Sequence, residues 1–306
     1  MEKQLTIFDV NHPLNRRLQL AKEGGLYFET PRLVMMPMCK EDAPSVFQWT
    51  SDGEVTRYMR YDTYTDVSQA EEWLTSPQQQ RDNFGIFLKD GELIGCISCP
   101  LDIVDKKYKE IGYTLNRHFW GNGYCTEATF ATIAYFAEKG TCRFLARHDV
   151  RNTPSQRVIE KCGFNYVSGG NQQSYDGKRT FLCREYLLDV TLHRMDLHDA
   201  PFRAIQSGEK TVEMRLYDEK RQQVKEGNYI CFQNRSSGKK IVTVVEKLHI
   251  FPSFEQLYAN MDLLKCGYTA DTVSTASPKD MDVYYSPEKQ QNYSVVGIEL
   301  RLVAVL

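Results

Sequence analysis

Two glycines one residue apart, Gly121-Asn122-Gly123, run straight into Tyr124-Cys125-Thr126 and a stretch that reads as helical through Lys139. The strand-like run Glu110-Ile-Gly-Tyr-Thr-Leu115 comes just before. Glycine lets a backbone turn sharply and approach a ligand closely. The amides beyond such a turn point outward at a helix N-terminus, where partial positive charge gathers. A strand, a glycine turn and a helix in that order make a seat for a pyrophosphate. Gly121, Asn122, Gly123, Tyr124, Cys125 and Thr126 are therefore the candidate cofactor-binding residues.

A second set of chemistry-bearing residues lies at Ser207-Gly208-Glu-Lys210-Thr211-Val-Glu213-Met-Arg215. A strand here sends Thr211, Glu213 and Arg215 to one side, with Lys210 at its mouth. Charges of both signs so close together are buried only when paired. They suit a polar pocket that reads a hydrogen-bonding ligand such as a nucleobase. Arg203 to Lys240 holds nine basic and five acidic residues. That excess reads either as a solvated face or as a patch for a phosphate backbone. The chain as a whole has 38 Lys+Arg against 40 Asp+Glu, which excludes a globally basic nucleic-acid coat.

Other groupings point away from chemistry. Cys96-Ile-Ser-Cys99 is the C-x-x-C of the sequence, but it closes a strand-like run, whereas a redox pair opens a helix. No second pair completes a zinc site, and His193 and His198 are five apart, off a shared helical face. No metal is expected. Nine scattered cysteines suit packed free thiols in a reducing cytoplasm. No apolar run is long enough to span a membrane, and the first 30 residues do not read as a secretory signal.

The elements that must carry these residues fall into two textures, and 306 residues at roughly 100–200 per domain suggest two domains. From residue 26, strands alternate with helices: a strand at 33–36, helices at 42–50 and 68–74, a hairpin around Lys89-Asp90-Gly91, the strand 110–115, an amphipathic helix 126–139, a strand 143–150, a helix 154–162 and a closing strand 180–188. That order argues for an α+β (mixed α/β) domain over 26–190. Beyond it strands dominate, at 211–216, 229–232, 241–248 and 295–302, with short helices at 200–207 and 254–259; this reads as a small β-barrel over 191–306. Residues 1–25 read as an N-terminal extension. Within it, Gln4-Leu5-Thr6-Ile7-Phe8-Asp9 resembles the peptide with which bacterial proteins dock on the replication sliding clamp, or else is a strand or docking segment of the domain itself.

Phe119-Trp-Gly-Asn-Gly-Tyr-Cys-Thr-Glu-Ala128 resembles the acetyl-CoA-binding loop of the GNAT superfamily of N-acetyltransferases, in particular the branch that acetylates ribosomal-protein N-termini. Asn152-Thr-Pro-Ser155-Gln-Arg-Val-Ile-Glu-Lys-Cys-Gly163-Phe164 resembles a second motif of that superfamily, and the likeness runs from Thr30-Pro31-Arg32-Leu33 to about Leu188. It implies a central mixed sheet flanked by helices, acetyl-CoA as cofactor and a primary amine as acceptor, on a protein or a small molecule. It places Asn152 and Ser155 beside the pantetheine arm and thiol. Glu110 is the candidate base, on the strand where members often carry an acidic residue, and Ser155 the candidate for assisting the thiolate. The acid many members carry seven residues after the Asn is a Tyr; here it is Ile159. His118 stands where Arg or Gln is common. Tyr113 and Trp120 line either the acceptor pocket or the core.

The run Ser207 to Arg215, with Phe251-Pro-Ser-Phe254 and the strand from Val295, resembles the ASCH family, a PUA-like β-barrel associated with RNA. The resemblance implies an RNA- or nucleoside-binding module with Lys210, Thr211, Glu213 and Arg215 in its pocket. Some small members hydrolyse acetylated cytidine with Lys, Thr and Glu. Lys210 matches that Lys, but Glu213 stands where the Thr would be. The sequence thus reads as an acetyl-CoA-dependent N-acetyltransferase with an appended binding module. The alternatives are a C-terminal amidohydrolase acting on acetylated cytidine, or a binding protein built on a degenerate acetyltransferase.

Overall fold

A computed structural model describes residues 6–77, 82–101 and 107–306. The chain divides into two compact units, Met1–Val190 and Thr191–Leu306.

The first unit begins with helix α1, Asn15–Glu23, then short strands β1, Phe28–Glu29, and β2, Leu33–Met36. Helices α2, Ala43–Thr50, α3, Gly53–Thr56, and α4, Val67–Thr75, follow. The Asp52 carboxylate caps α3 and that of Asp66 caps α4, each accepting from an orphan amide of the first turn. Strands β3, Asn83–Leu88, β4, Leu93–Ser98, and β5, Lys109–Leu115, lead into helix α5, Tyr124–Glu138. Strand β6, Arg143–Asp149, helix α6, Thr153–Lys161, and strands β7, Asn165–Gln173, and β8, Thr180–Asp189, complete the unit. β1 to β5 pair antiparallel in sequence order. β5 and β6 are parallel, and β8 inserts antiparallel between β6 and β7.

Three features differ from the sequence reading. The segment read as an extension is built into this unit: Ile7 is fully buried with Leu18, Val34 and Met36, and its amide donates to the Lys89 carbonyl. A clamp-docking peptide must be free to leave, and Ile7 is not; Gln4 and Leu5 lie outside the described residues. Helix α5 is buried from Ala128 through Ala137 on every face, not amphipathic, because its small alanines and threonines let neighbours close in all round. Strand β7 was not expected. Its residues are exposed on both faces, so no alternation marks it.

The second unit holds β9, Leu192–Leu197, helix α7, Asp199–Ser207, β10, Val212–Leu216, β11, Tyr229–Asn234, β12, Lys240–Phe251, helices α8, Phe254–Asn260, and α9, Pro287–Asn292, and β13, Val295–Val305. The strands run in the order β10-β13-β12-β11-β9, antiparallel except for β9 beside β11. Register shifts near Val242 and Val245 interrupt the β12–β13 ladder. Bulges of this kind bend and twist long strands, which gives the small β-rich fold its curvature. Both faces carry a core: Phe202, Phe232 and Ile298 on one, Val212, Phe254 and Leu257 on the other.

Candidate active site

The glycine turn has the geometry its residues predicted. Gly121 and Gly123 sit at φ +80° and +79°, left-handed values that a side chain resists. Gly123 precedes α5 with no side-chain cap, so the first turn of the helix keeps its amides for another partner. A Cβ on Gly121 would meet nothing within 4 Å, so the turn opens onto free space.

A latch from the residues just ahead of β2 holds that turn. Arg32 donates from Nη1 to the Asn122 carbonyl at 3.0 Å and from Nε to Glu127 Oε2 at 2.6 Å. Its guanidinium lies 4.6 Å from the centre of the Tyr124 ring. Thr30, itself buried, donates to the other Glu127 oxygen. Sequence reasoning noted Thr30 and Arg32 as part of a motif but gave them no role; an Arg at the start of one strand and a Glu in the helix behind the turn was the available signal.

Next to the turn the sheet comes apart. The β5–β6 ladder pairs Lys109 with Phe144, Glu110 with Leu145 and Ile111 with Ala146, then stops, although β5 runs on to Leu115 and β6 to Asp149. Beyond Ile111 and Ala146 the facing backbones leave a wedge. On one side of the sheet are helices α5 and α6. Tyr113 points there, and its hydroxyl is 3.0 Å from Ser155 Oγ and 3.1 Å from the Ser155 carbonyl oxygen. Burial pushes the Tyr113 hydroxyl well above its usual pKa. Burial also pushes the Cys125 thiol up to about 12, so it stays protonated and is no nucleophile at neutral pH. Asn152 caps α6, its Oδ1 accepting from the Ser155 amide at 3.2 Å.

The other face carries the carboxylates. Glu110 Oε2 is 3.1 Å from Arg147 Nη1, and Arg147 Nε donates to Glu185 at 2.8 Å. The segment between α3 and α4 shares this side of the unit and is tied to the β7–β8 turn. Arg179 donates to the Tyr61 carbonyl at 3.0 Å and pairs with Asp62 at 2.8 Å, and the Tyr175 amide donates to the Arg60 carbonyl. Tyr61 reaches the Thr114 hydroxyl of β5. The acceptor-pocket role considered for Tyr113 and Trp120 does not suit this arrangement. Tyr113 faces the helices, and Trp120, half exposed, spends its indole N–H on the Leu115 carbonyl. Tyr61 is an aromatic on the carboxylate side, which spacing alone did not reveal. Ile159 is buried and apolar, so that position of α6 brings no acid to the wedge. His118 lies in the short turn after β5.

In the second unit, Glu213 is buried between two cations. Lys210 Nζ lies 2.9 Å from its Oε2, and Arg215 Nε donates to its Oε1 at 2.7 Å. Oε2 has the ammonium close by but no donor aligned on it as a hydrogen bond. Burial pushes the Glu213 carboxyl up, but the charges of Lys210 and Arg215 outweigh it and hold the group below the usual glutamate range. Thr211 donates its amide to the Lys265 carbonyl, and Gly267 lies against the Lys210 stem. Among the described residues no group of three or more His, Cys, Asp or Glu gathers as a metal site, and no helix is long and apolar enough to cross a membrane.

A family model for the acetyltransferase (GNAT) domain matches residues 32–165, and one for the ASCH domain matches 195–304. The uncharacterized N-acetyltransferase p20 of Bacillus licheniformis is 36% identical over 170 residues, covering 53% of this chain and 93% of that protein. The chain belongs to the GNAT acetyltransferase family. The uncharacterized protein YkkB of Bacillus subtilis is 33% identical over 146 residues, covering 45% of this chain and 84% of its own length. A solved GNAT-family acetyltransferase of Bacillus anthracis aligns with TM-score 0.49 at 25% identity, over 53% of this chain and 98% of that one.

This GNAT protein is an acyltransferase and its donor is acetyl-CoA. Its residues fit that donor. The donor needs a seat for a diphosphate and a slot for a thin arm. The turn at Gly121–Gly123 leaves the start of α5 without a side-chain cap and has room above Gly121, and β5 and β6 part from each other beyond Ile111 and Ala146.

Proposed function

We propose that this acetyltransferase delivers the acetyl group to a primary amine, on a protein N-terminus or a small molecule, and that Thr191–Leu306 binds RNA or a nucleoside. The observation that carries the first part is the end of the β5–β6 ladder at Ile111 and Ala146 beside the glycine turn. Acetyl-CoA supplies an activated thioester. The amides from Gly121 through Thr126 hold its diphosphate, and the edge of β6 that parts from β5 past Ala146 offers an N–H to the acyl oxygen as charge builds there. Ser155 and Asn152 stand on the helix side of the wedge, where the sulfur belongs. Glu110 stands on the other, where the amine enters. Arg147 holds the Glu110 carboxylate in place on the side where the amine's proton leaves.

For the second unit, the buried Lys210–Glu213–Arg215 arrangement supports binding over hydrolysis. Both cations are engaged by one carboxylate, so neither lysine nor glutamate is free to act as a nucleophile or base.

Acetyl-CoA and the purified chain are incubated with peptides bearing free or blocked α-amines and with small primary amines, and thiol release and acceptor mass are followed. One class of amine gains an acetyl group; no gain with any amine overturns the amine reading. RNA retention that weakens with added salt supports the second part. Conversion of acetylated cytidine to cytidine by the chain replaces it with the hydrolase.

A further inference from the structure

Ile159 leaves the acetyltransferase without a hydroxyl from the body of α6, yet a hydroxyl is present at the wedge. It arrives from the sheet. Tyr113 is the second residue beyond the last β5–β6 rung at Ile111, so it projects on the same side as Ile111, toward the helices. Its hydroxyl has two acceptors within reach, the Ser155 carbonyl oxygen at 3.1 Å and Ser155 Oγ at 3.0 Å. A tyrosine hydroxyl carries one proton. When that proton goes to Oγ, the serine's own proton is released to point away, into the wedge. When it goes to the carbonyl, the serine proton turns back to the tyrosine, and Oγ presents only lone pairs. The pair can therefore offer a donor to a thiolate or an acceptor to a thiol, without either residue ionising. Burial of Tyr113 favours this neutral role, because its hydroxyl stays protonated through the neutral range.

We infer that Tyr113 is a positioning residue that orients the Ser155 hydroxyl toward the sulfur of coenzyme A, in place of the tyrosine that Ile159 replaces. No proton is consumed by the pair. The sulfur gains a hydrogen bond as its bond to the acetyl carbon breaks, and the amine's proton leaves by the carboxylate side. The inference rests on the acetyl-CoA site proposed above.

The test reads the thiol of bound coenzyme A in the intact chain, without turnover. Coenzyme A and its desulfo analogue are titrated by calorimetry, and the thiolate absorbance of bound coenzyme A is followed against pH. A hydrogen bond to a charged acceptor is worth enough to move the bound thiol's pKa down by about one unit or more. Tyr113→Phe and Ser155→Ala should each remove that shift and the preference for coenzyme A over the desulfo analogue, and the double variant should remove no more than either alone. Melting temperature, a structural readout, does not predict this pattern. A bound thiol with the same pKa in wild type and Tyr113→Phe overturns the inference. So does a shift lost in Tyr113→Phe but kept in Ser155→Ala, since Tyr113 would then act without the serine. If Tyr113→Phe does not fold, Ser155→Ala in the first helical turn decides alone: an unchanged thiol pKa overturns the proposal. Failure of the wild type to bind coenzyme A overturns the site itself, a result distinct from binding without a thiol shift.

Discussion

Arg32 is about ninety residues from the glycine turn in sequence and touches it through a carbonyl, a carboxylate and a ring face. Its job is conformational: the Asn122 carbonyl is held down while the amides of the turn face outward. Arg32→Met keeps the bulk and removes these hydrogen bonds, about 1.5–3 kcal/mol for donors to a charged partner. The Kd for acetyl-CoA, measured by calorimetry, should rise roughly tenfold or more. The cysteines give a second prediction at this scale. Burial raises the Cys96 and Cys125 thiols to about 12, from a usual value of 9.0. A neutral thiol favoured in the folded state contributes its full stability below pH 9 and loses it as pH climbs toward about 12. Thermal melts should therefore drop across that alkaline window, and Cys125→Ser should flatten the drop. Single residues were unevenly legible in the sequence. Gly121 and Gly123 announced themselves by type and spacing, whereas Asn152 and Ser155 were named only through the family resemblance. The partners of Glu110 and Tyr113 did not, because a hydrogen bond between strand and helix depends on where the elements land.

Among the elements, the decisive feature is a ladder that stops while its strands continue. Nothing in the composition of Lys109–Leu115 or Arg143–Asp149 says so. Both read as ordinary strands, and both are. The glycine turn was readable, since positive φ at Gly121 and Gly123 demands a residue without a side chain. Gly121→Val keeps free space around the new side chain but forces a β-branched residue into a left-handed conformation, at about 1–2 kcal/mol. The fold survives that cost. Acetyl-CoA affinity should fall at least tenfold in the same calorimetric measurement, while the far-UV circular dichroism spectrum stays unchanged. Helix α5 was placed correctly from its capping glycine and its length, but its periodicity misled: alanine and threonine are small enough to be buried on any side. The edge strand β7, with Ser-Gly-Gly-Asn in its middle, gives no periodic signal of any kind.

For the molecule as a whole, two domains of different texture were legible because helices thin out after about residue 190, and the division falls between Val190 and Thr191. The first residues were left open between a clamp-docking peptide and a segment of the domain itself, since six residues carry too little pattern to tell the two apart; the burial of Ile7 fits the second. Ile7→Ala should cost about 2–5 kcal/mol in urea unfolding, the range for emptying a fully buried aliphatic site. In the second unit, Glu213→Ala leaves Lys210 and Arg215 facing each other in a buried site, a loss of about 3–5 kcal/mol. Because the native carboxyl is held low, its contribution is complete above pH 4.5 and fades as acid protonates it. Hydrogen exchange over residues 212–216 should accelerate below that pH in the wild type, and at every pH in the variant. The glycine turn also bears on selectivity. Under the proposed function, a cup of peptide amides senses oxyanions and nothing farther along the arm, so it would grip propionyl and butyryl thioesters as firmly as acetyl ones. Choosing among acyl lengths falls to whatever volume lies past the sulfur.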